Sequence, residues 1–216
     1  MKFSIPESIP RAALITGGSR QSAMAHTLAA AGFAIALQCH ADTAEELPAG
    51  AIVLHADLSD EAQTSSLVGE ATQALGPIGV LINAASTLER DRWDDANRAT
   101  WDMHIQTNLR APFLLIQHFA KALPGSSEGV VINLLDQRIS PHLVSYTLSK
   151  AALWTLTQTM ALALAPRIRV NGIAAGSASR STGADEAAHA AIAILALTSM
   201  TGQMIVPDGV PDPRTG

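Results

Sequence analysis

Short apolar runs rich in β-branched residues recur along this chain at 12–16, 33–37, 51–55, 79–82, 130–135 and 168–173, and helix-length segments separate most of them. Runs of this length without polar alternation read as strands covered on both faces, and helical crossovers between them make the sheet parallel. The right-handed rule for such crossovers leaves an α/β fold: a Rossmann-type, doubly wound parallel sheet of about seven strands, order 3-2-1-4-5-6-7. Functional groups then belong at the carboxyl ends of the strands.

The intervening segments carry helix punctuation. An Ala-rich stretch at 22–31 closes on Gly32, Asp60 is placed to cap a helix running to Leu75, and Pro166 stops the helix that contains Tyr146 and Lys150. A short helix near Trp93, a long one at 101–123 and one from about Asp185 complete the set. Trp101, His104, Ile105, Asn108, Leu109 and Phe113 follow helical spacing and read as a packing face, and 187–197 as a buried helix or a subunit contact.

A chain of 216 residues without an internal repeat is expected to form a single domain over 1–216, with a loose Pro-rich tail at 207–216. Its formal net charge of -5 offers no basic face for nucleic acid or an anionic membrane. No apolar run reaches the roughly 18 residues of a membrane span, and the first six residues lack the apolar segment of a leader. With one cysteine, Cys39, no internal disulfide forms, and a cytoplasmic location is expected. Seven histidines show no metal-ligand spacing, so no metal site is expected.

The polar residues at strand ends make a rim. Thr16, Gly17, Gly18, Ser19 and Arg20 follow the first strand and open a helix, where backbone N–H groups and the helix dipole suit a pyrophosphate. Asp57 and Leu58 follow the third strand, Asn83 and Ala84 the fourth, Asp136 the fifth and Gly176 the sixth. Tyr146 and Lys150 lie four apart on a helix and so share a face. A phenol at its ordinary pKa of about 10 transfers protons poorly at neutral pH, and a neighbouring ammonium favours its ionised form.

Through the Thr16-Gly17 turn, Asp57-Leu58, Asn83-Ala84-Ala85-Ser86, Asn108, Tyr146 with Lys150, Arg169-Val170-Asn171 and Gly176, the whole chain resembles the short-chain dehydrogenase/reductase family. Asp136 stands where most members carry a serine, and in this the chain is most similar to the pteridine and dihydromonapterin reductases. The resemblance implies a small-molecule substrate of the pterin kind, whose C=N or C=O bond takes a hydride. It implies that Tyr146 is the proton donor, that Lys150 holds the nicotinamide ribose and lowers the Tyr146 pKa, that Asn108 anchors a relay water, and that Asp136 contacts the pterin. It also implies a homo-oligomer, tetramer or dimer, formed through the two long helices.

Cofactor choice rests on charge. The position seven after Gly32, where NAD-specific members place an acid, is Cys39, and nothing there repels a 2′-phosphate. Arg20 and His40 occupy positions where NADPH-using members carry basic residues, so NADPH is expected ahead of NADH.

The departures cluster on the same rim. The Gly-rich turn is two residues shorter than the family pattern, with Gln21 at its last glycine position, and Asp136 and Tyr146 stand ten apart, three fewer than usual. The substrate loop near 176–184 is short. Two readings therefore stand: a reductase with an open site, or a weak or inactive paralogue kept as a partner subunit or ligand binder.

Overall fold

The computed structural model describes residues 4–40, 47–174 and 181–207, with backbone alone at 19, 20 and 181–183. Among these, strands β1 (Ala12–Thr16), β2 (Ala34–Cys39), β3 (Ile52–His55), β4 (Val80–Asn83), β5 (Gly129–Leu135), β6 (Ile168–Ala174) and β7 (Met204–Ile205) form one sheet of order 3-2-1-4-5-6-7. Every neighbouring pair is parallel, as the crossover argument requires.

Successive residues of a strand point to opposite faces, and the two cores follow that period. From β1, Ala13 and Ile15 pack with residues of α1 (Ser22–Ala30) and α6 (Ser181–Ala196). Ala12 and Leu14 pack on the other side with residues of α2 (Glu61–Leu75), α4 (Ala111–Ala122) and α5 (Val144–Leu164). Leu14, Leu81 and Leu115 are almost wholly buried, each stabilising the fold by about 1.5–3 kcal/mol relative to exposure. Asp60 caps α2 as expected, accepting from the N–H groups of Ala62 at 2.8 Å and Gln63 at 3.1 Å. The helix at 187–197 is core: Ala187, Ala188, Ala191, Ile194 and Leu195 are buried. Arg169 of β6 fastens its end, donating to the carbonyls of Ile194 at 2.8 Å, Leu195 at 3.1 Å and Leu197 at 3.0 Å.

One helix expectation is corrected. Around Trp93 the chain makes a turn, closed by Ala96 N–H on Arg92 O at 2.9 Å, and Trp93 is exposed. A stretch as polar as 91–95 has no apolar stripe with which to dock a helix. The long helix expected at 101–123 is present as one continuous helical run, α3 (Arg98–Ile105) passing through a wide turn at Gln106–Arg110 into α4. Pro112 has no N–H to continue a regular ladder, and the widened turn absorbs the defect: Ala111 N–H reaches back five residues to Gln106 O.

The Gly176 position and the 208–216 part of the tail lie outside the described residues, as do most of 176–184.

Candidate active site

Asp136 follows β5 directly, Arg138 lies in the loop beyond it, and Tyr146 and Lys150 stand in the first two turns of α5. The Tyr146 hydroxyl donates to Asp136 Oδ2 at 2.8 Å. Arg138 forks onto the same carboxylate, Nε donating to Oδ2 at 2.8 Å and Nη2 to Oδ2 at 2.6 Å, while its backbone N–H donates to Oδ1 at 2.9 Å. Such a bidentate pair is about twice as strong as a neutral hydrogen bond and fixes the carboxylate plane. Burial pushes the Asp136 carboxyl up, but the hydrogen bonds from Arg138 and Tyr146 outweigh it and hold Asp136 below the usual carboxylate range.

Lys150 Nζ donates to Leu134 O at 3.2 Å and lies 5.9 Å from the Tyr146 ring centroid. Burial pushes the ammonium down to about 8. Burial, and then the Asp136 carboxylate, push the Tyr146 phenol up to about 12. This corrects the expectation that Lys150 lowers the phenol. Here the group bonded to the hydroxyl is an anion, and the ammonium is engaged by a carbonyl of β5. Asn108, in the widened turn, accepts from Thr87 N–H at 2.9 Å and donates to Ser149 Oγ at 3.0 Å, one turn from Tyr146 on α5.

The residues of the first turn come together with those after β4. Thr16 Oγ1 accepts from the N–H groups of Ala84 and Ala85, each at 3.1 Å. Gly17, at φ +114, leaves no room for a side chain: a Cβ would meet Ala85 N at 2.9 Å and Ala84 C at 3.0 Å. Gly18, at φ +66, lies against Cys39. Gly18–Gln21 make a single tight helical turn running straight into α1, whose start has no side-chain cap. The side chains of Ser19 and Arg20 lie outside the described set. Asp57 is turned inward on its own loop, accepting from Ser59 N–H at 2.8 Å and Ser59 Oγ at 2.7 Å. Those bonds hold its carboxyl below the ordinary value. The Leu58 side chain belongs to the core, and His40 is exposed at the end of β2.

A chain match now settles the lineage. A family model described as short chain dehydrogenase matches residues 11–191. The chain belongs to the short-chain dehydrogenase family of oxidoreductases. A 3-alpha-(or 20-beta)-hydroxysteroid dehydrogenase of Mycobacterium tuberculosis is 32% identical over 181 residues, covering 78% of this chain and 69% of that protein. FolM alternative dihydrofolate reductase 1 of Brucella canis, crystallised with NADP, is 34% identical, with a TM-score of 0.82 and 92% of each chain covered. Its Brucella suis counterpart, also with NADP, is 35% identical at a TM-score of 0.81, covering 92% of this chain and 93% of that one.

The rim of this short-chain dehydrogenase fits a dinucleotide by its own features. Helix α1 begins without a side-chain cap, leaving N–H groups for an anion, and Asn83 Oδ1 is buried without a protein partner. No carboxylate stands at the end of β2, where Gln38, Cys39 and His40 follow one another.

Several functional neighbours escaped the sequence reading. Gln38 is buried, accepting from Gly17 N–H at 3.1 Å and donating to Ala56 O at 2.7 Å, so one amide couples the ends of β1, β2 and β3. Asn133 links Asn83 to Thr157 by two bonds of 2.8 Å across β4, β5 and α5. A lone polar residue inside an apolar strand was the available signal for both. Arg138, a loop cation by sequence, gave none. Among the described residues no helix is long and apolar enough to cross a membrane, and no cluster of three His, Cys, Asp or Glu side chains could hold a metal ion.

Proposed function

We propose that the chain is an NADPH-dependent reductase of the pterin or folate class, acting on a C=N or C=O bond of a small molecule. The observation that carries this reading is Asp136, joined to the Tyr146 hydroxyl at 2.8 Å and held ionised by Arg138. An ionised carboxylate at a reductase site accepts from the paired N–H groups of a pterin ring, which a simple ketone lacks. The 34% and 35% likeness to the two NADP-bound Brucella reductases supports the same substrate class and cofactor.

When bound, NADPH supplies the hydride. Thr16, Gly17, Gly18, Ser19 and Arg20 would hold its phosphates, with His40, Asp57, Leu58, Asn83, Ala84 and Gly176 along the rim and Lys150 at the ribose. Tyr146 keeps its proton at neutral pH and delivers it to the substrate atom that becomes basic. Lys150 brings positive charge beneath the phenol, and Asn108, bonded to the Thr87 backbone after β4, would anchor a relay water. The protein forms a single domain and assembles as a tetramer or dimer through the two long helices, α5 and the one that runs through α3 and α4.

A second reading is favoured by one observation. The turn at Gly18–Gln21 is tight and leads directly into α1, with Gln21 at its end, so fewer backbone N–H groups converge on a pyrophosphate. On that reading the chain binds or assembles without turnover.

Titration calorimetry with NADPH and NADH, followed by NADPH oxidation with a dihydropterin, separates the two. The reductase reading expects micromolar NADPH affinity, and a Tyr146→Phe variant that still binds but turns over about a hundredfold more slowly. Equal, negligible oxidation by both proteins leaves the binding role.

A further inference from the structure

The strap between β4 and α3, residues 84–97, is tied to α5 by two rungs. In the first, Asn108 exchanges hydrogen bonds with the Thr87 backbone, at 2.9 Å and 3.1 Å, and donates to Ser149 Oγ at 3.0 Å. In the second, Glu89 N–H donates to His104 Nε2 at 2.9 Å. A neutral ring accepting at Nε2 carries its proton on Nδ1, which therefore donates to Ser145 Oγ at 2.6 Å. The Ser145 hydroxyl in turn donates to Asp91 Oδ2. His104 to Asn108 and Ser145 to Ser149 are both four-residue steps, so the rungs lie one helical turn apart.

His104 and Ser145 are fully buried and Asp91 is 2% exposed. Burial holds the imidazole below its ordinary value, in keeping with the neutral form that the Glu89 bond requires. The order of the groups is not that of a hydrolase. The serine is in the middle, fully buried, accepting from the imidazole and donating to the carboxylate, so its oxygen is not presented to a substrate.

Helix α5 has no side-chain cap of its own at Leu143. Asp91 supplies one from a distance: its carboxylate accepts from Ser145 N–H at 3.2 Å, its N–H donates to His142 O at 3.2 Å, and its carbonyl accepts from Val144 N–H at 3.3 Å. A carboxylate there satisfies an orphan N–H and meets the positive end of the helix. The next residue is Tyr146, and the His104 ring meets its ring edge-on at 5.9 Å between centroids.

We propose that Asp91, Ser145 and His104 are positioning residues for Tyr146, fixing the first turn of α5 so that the phenol stays aimed at Asp136. Among the described residues, the charged and titratable groups facing that phenol are Asp136 and Arg138 from the β5–α5 loop, Lys150 from its own helix and His104 from α3. The inference rests on the reductase reading for its kinetic consequence alone.

Tyr146 is the one tyrosine of the chain, so phenolate absorbance against pH reads it directly. The test compares Ser145→Ala and Asp91→Ala with Ser145→Thr and Asp91→Asn, by that titration and by NADPH oxidation with a dihydropterin. In the alanine variants the midpoint is expected to drop from about 12 toward 10, and kcat to fall about tenfold to a hundredfold with KM little changed. The conservative variants recover most of both losses. Alanine variants whose phenol midpoint and kcat match the parent protein overturn the proposal. Should an alanine variant fail to fold, His104→Phe, which keeps the ring edge without either hydrogen bond, is judged by the same two readouts. If the parent protein turns over no pterin, the reductase reading fails, and the phenol titration alone decides the positioning role.

Discussion

Tyr146 and Asp136 are ten residues apart in sequence and 2.8 Å apart in space, hydroxyl to carboxylate. A phenol hydrogen-bonded to an anion retains its proton more firmly than one in water, and burial adds to the effect. Phenolate absorbance should therefore appear near pH 12 in the native protein and near 10 after denaturation. Asp136→Asn removes the negative charge and keeps the shape, so its native midpoint should fall toward 10. A midpoint unmoved by that substitution would separate the two groups.

Arg138 opposes burial at Asp136 through its side-chain and backbone hydrogen bonds and its charge, with a further hydrogen bond from Tyr146. Arg138→Gln keeps a hydrogen-bond donor and deletes the charge, leaving burial to push the carboxyl upward. The acid limb of the NADPH-oxidation profile should move to higher pH. In Asp136→Asn the limb should vanish, and adding Arg138→Gln to that variant should change it no further. An acid limb at the same pH with and without Arg138 would exclude this role.

The frame of this site was legible because it depends on local pattern. Strand-length apolar runs, the four-residue step from Tyr146 to Lys150, and Asp60 before a helix each act within one turn or one strand. What could not be read depends on partners brought together by the fold. Asp91 and Ser145 are 54 residues apart and His104 and Ser145 are 41 apart, so His104 on its helix passed for packing. Gln38 and Asn133 sit in strands otherwise apolar, and only the closed sheet reveals which backbone and side-chain groups they satisfy. The widened turn between α3 and α4 was signalled by Pro112, but hydrophobic spacing continues across it. Residues 175–180, in the short substrate loop, and the side chain of Arg20 lie outside the described set.

Gly17→Ala tests the first turn. The position has φ +114 and a Cβ there would press on the backbone of Ala84 and Ala85, the segment that Thr16 anchors. Backbone strain of this kind is worth about 1–3 kcal/mol. Thermal unfolding should show a lower Tm, and NADPH affinity should fall in calorimetry. A variant that binds NADPH as tightly as the parent would remove the Gly17 turn from the cofactor site.

Lys150 gives the protein a pH dependence opposite in sign to that of Tyr146. Its ammonium is pushed from 10.5 in the unfolded chain to about 8 in the native site. Between those two values the unfolded chain binds more protons than the native one, so stability rises with pH across that window. At neutral pH the buried charge therefore lowers stability by roughly 3 kcal/mol. Tyr146 acts the other way: its native pKa is raised from 10 to about 12, so the stability it contributes is present below 10 and lost as the pH climbs through 12. Lys150→Met keeps the apolar stem and deletes the charge. It should be more stable than the parent at pH 7, and the gap should close as the pH approaches 10.5. Denaturant titrations at pH 7, 8.5 and 10 measure that gap directly. A difference between the two proteins that stays constant across the range would mean that the native Lys150 ammonium titrates at its ordinary value, with no burial of charge beneath the phenol.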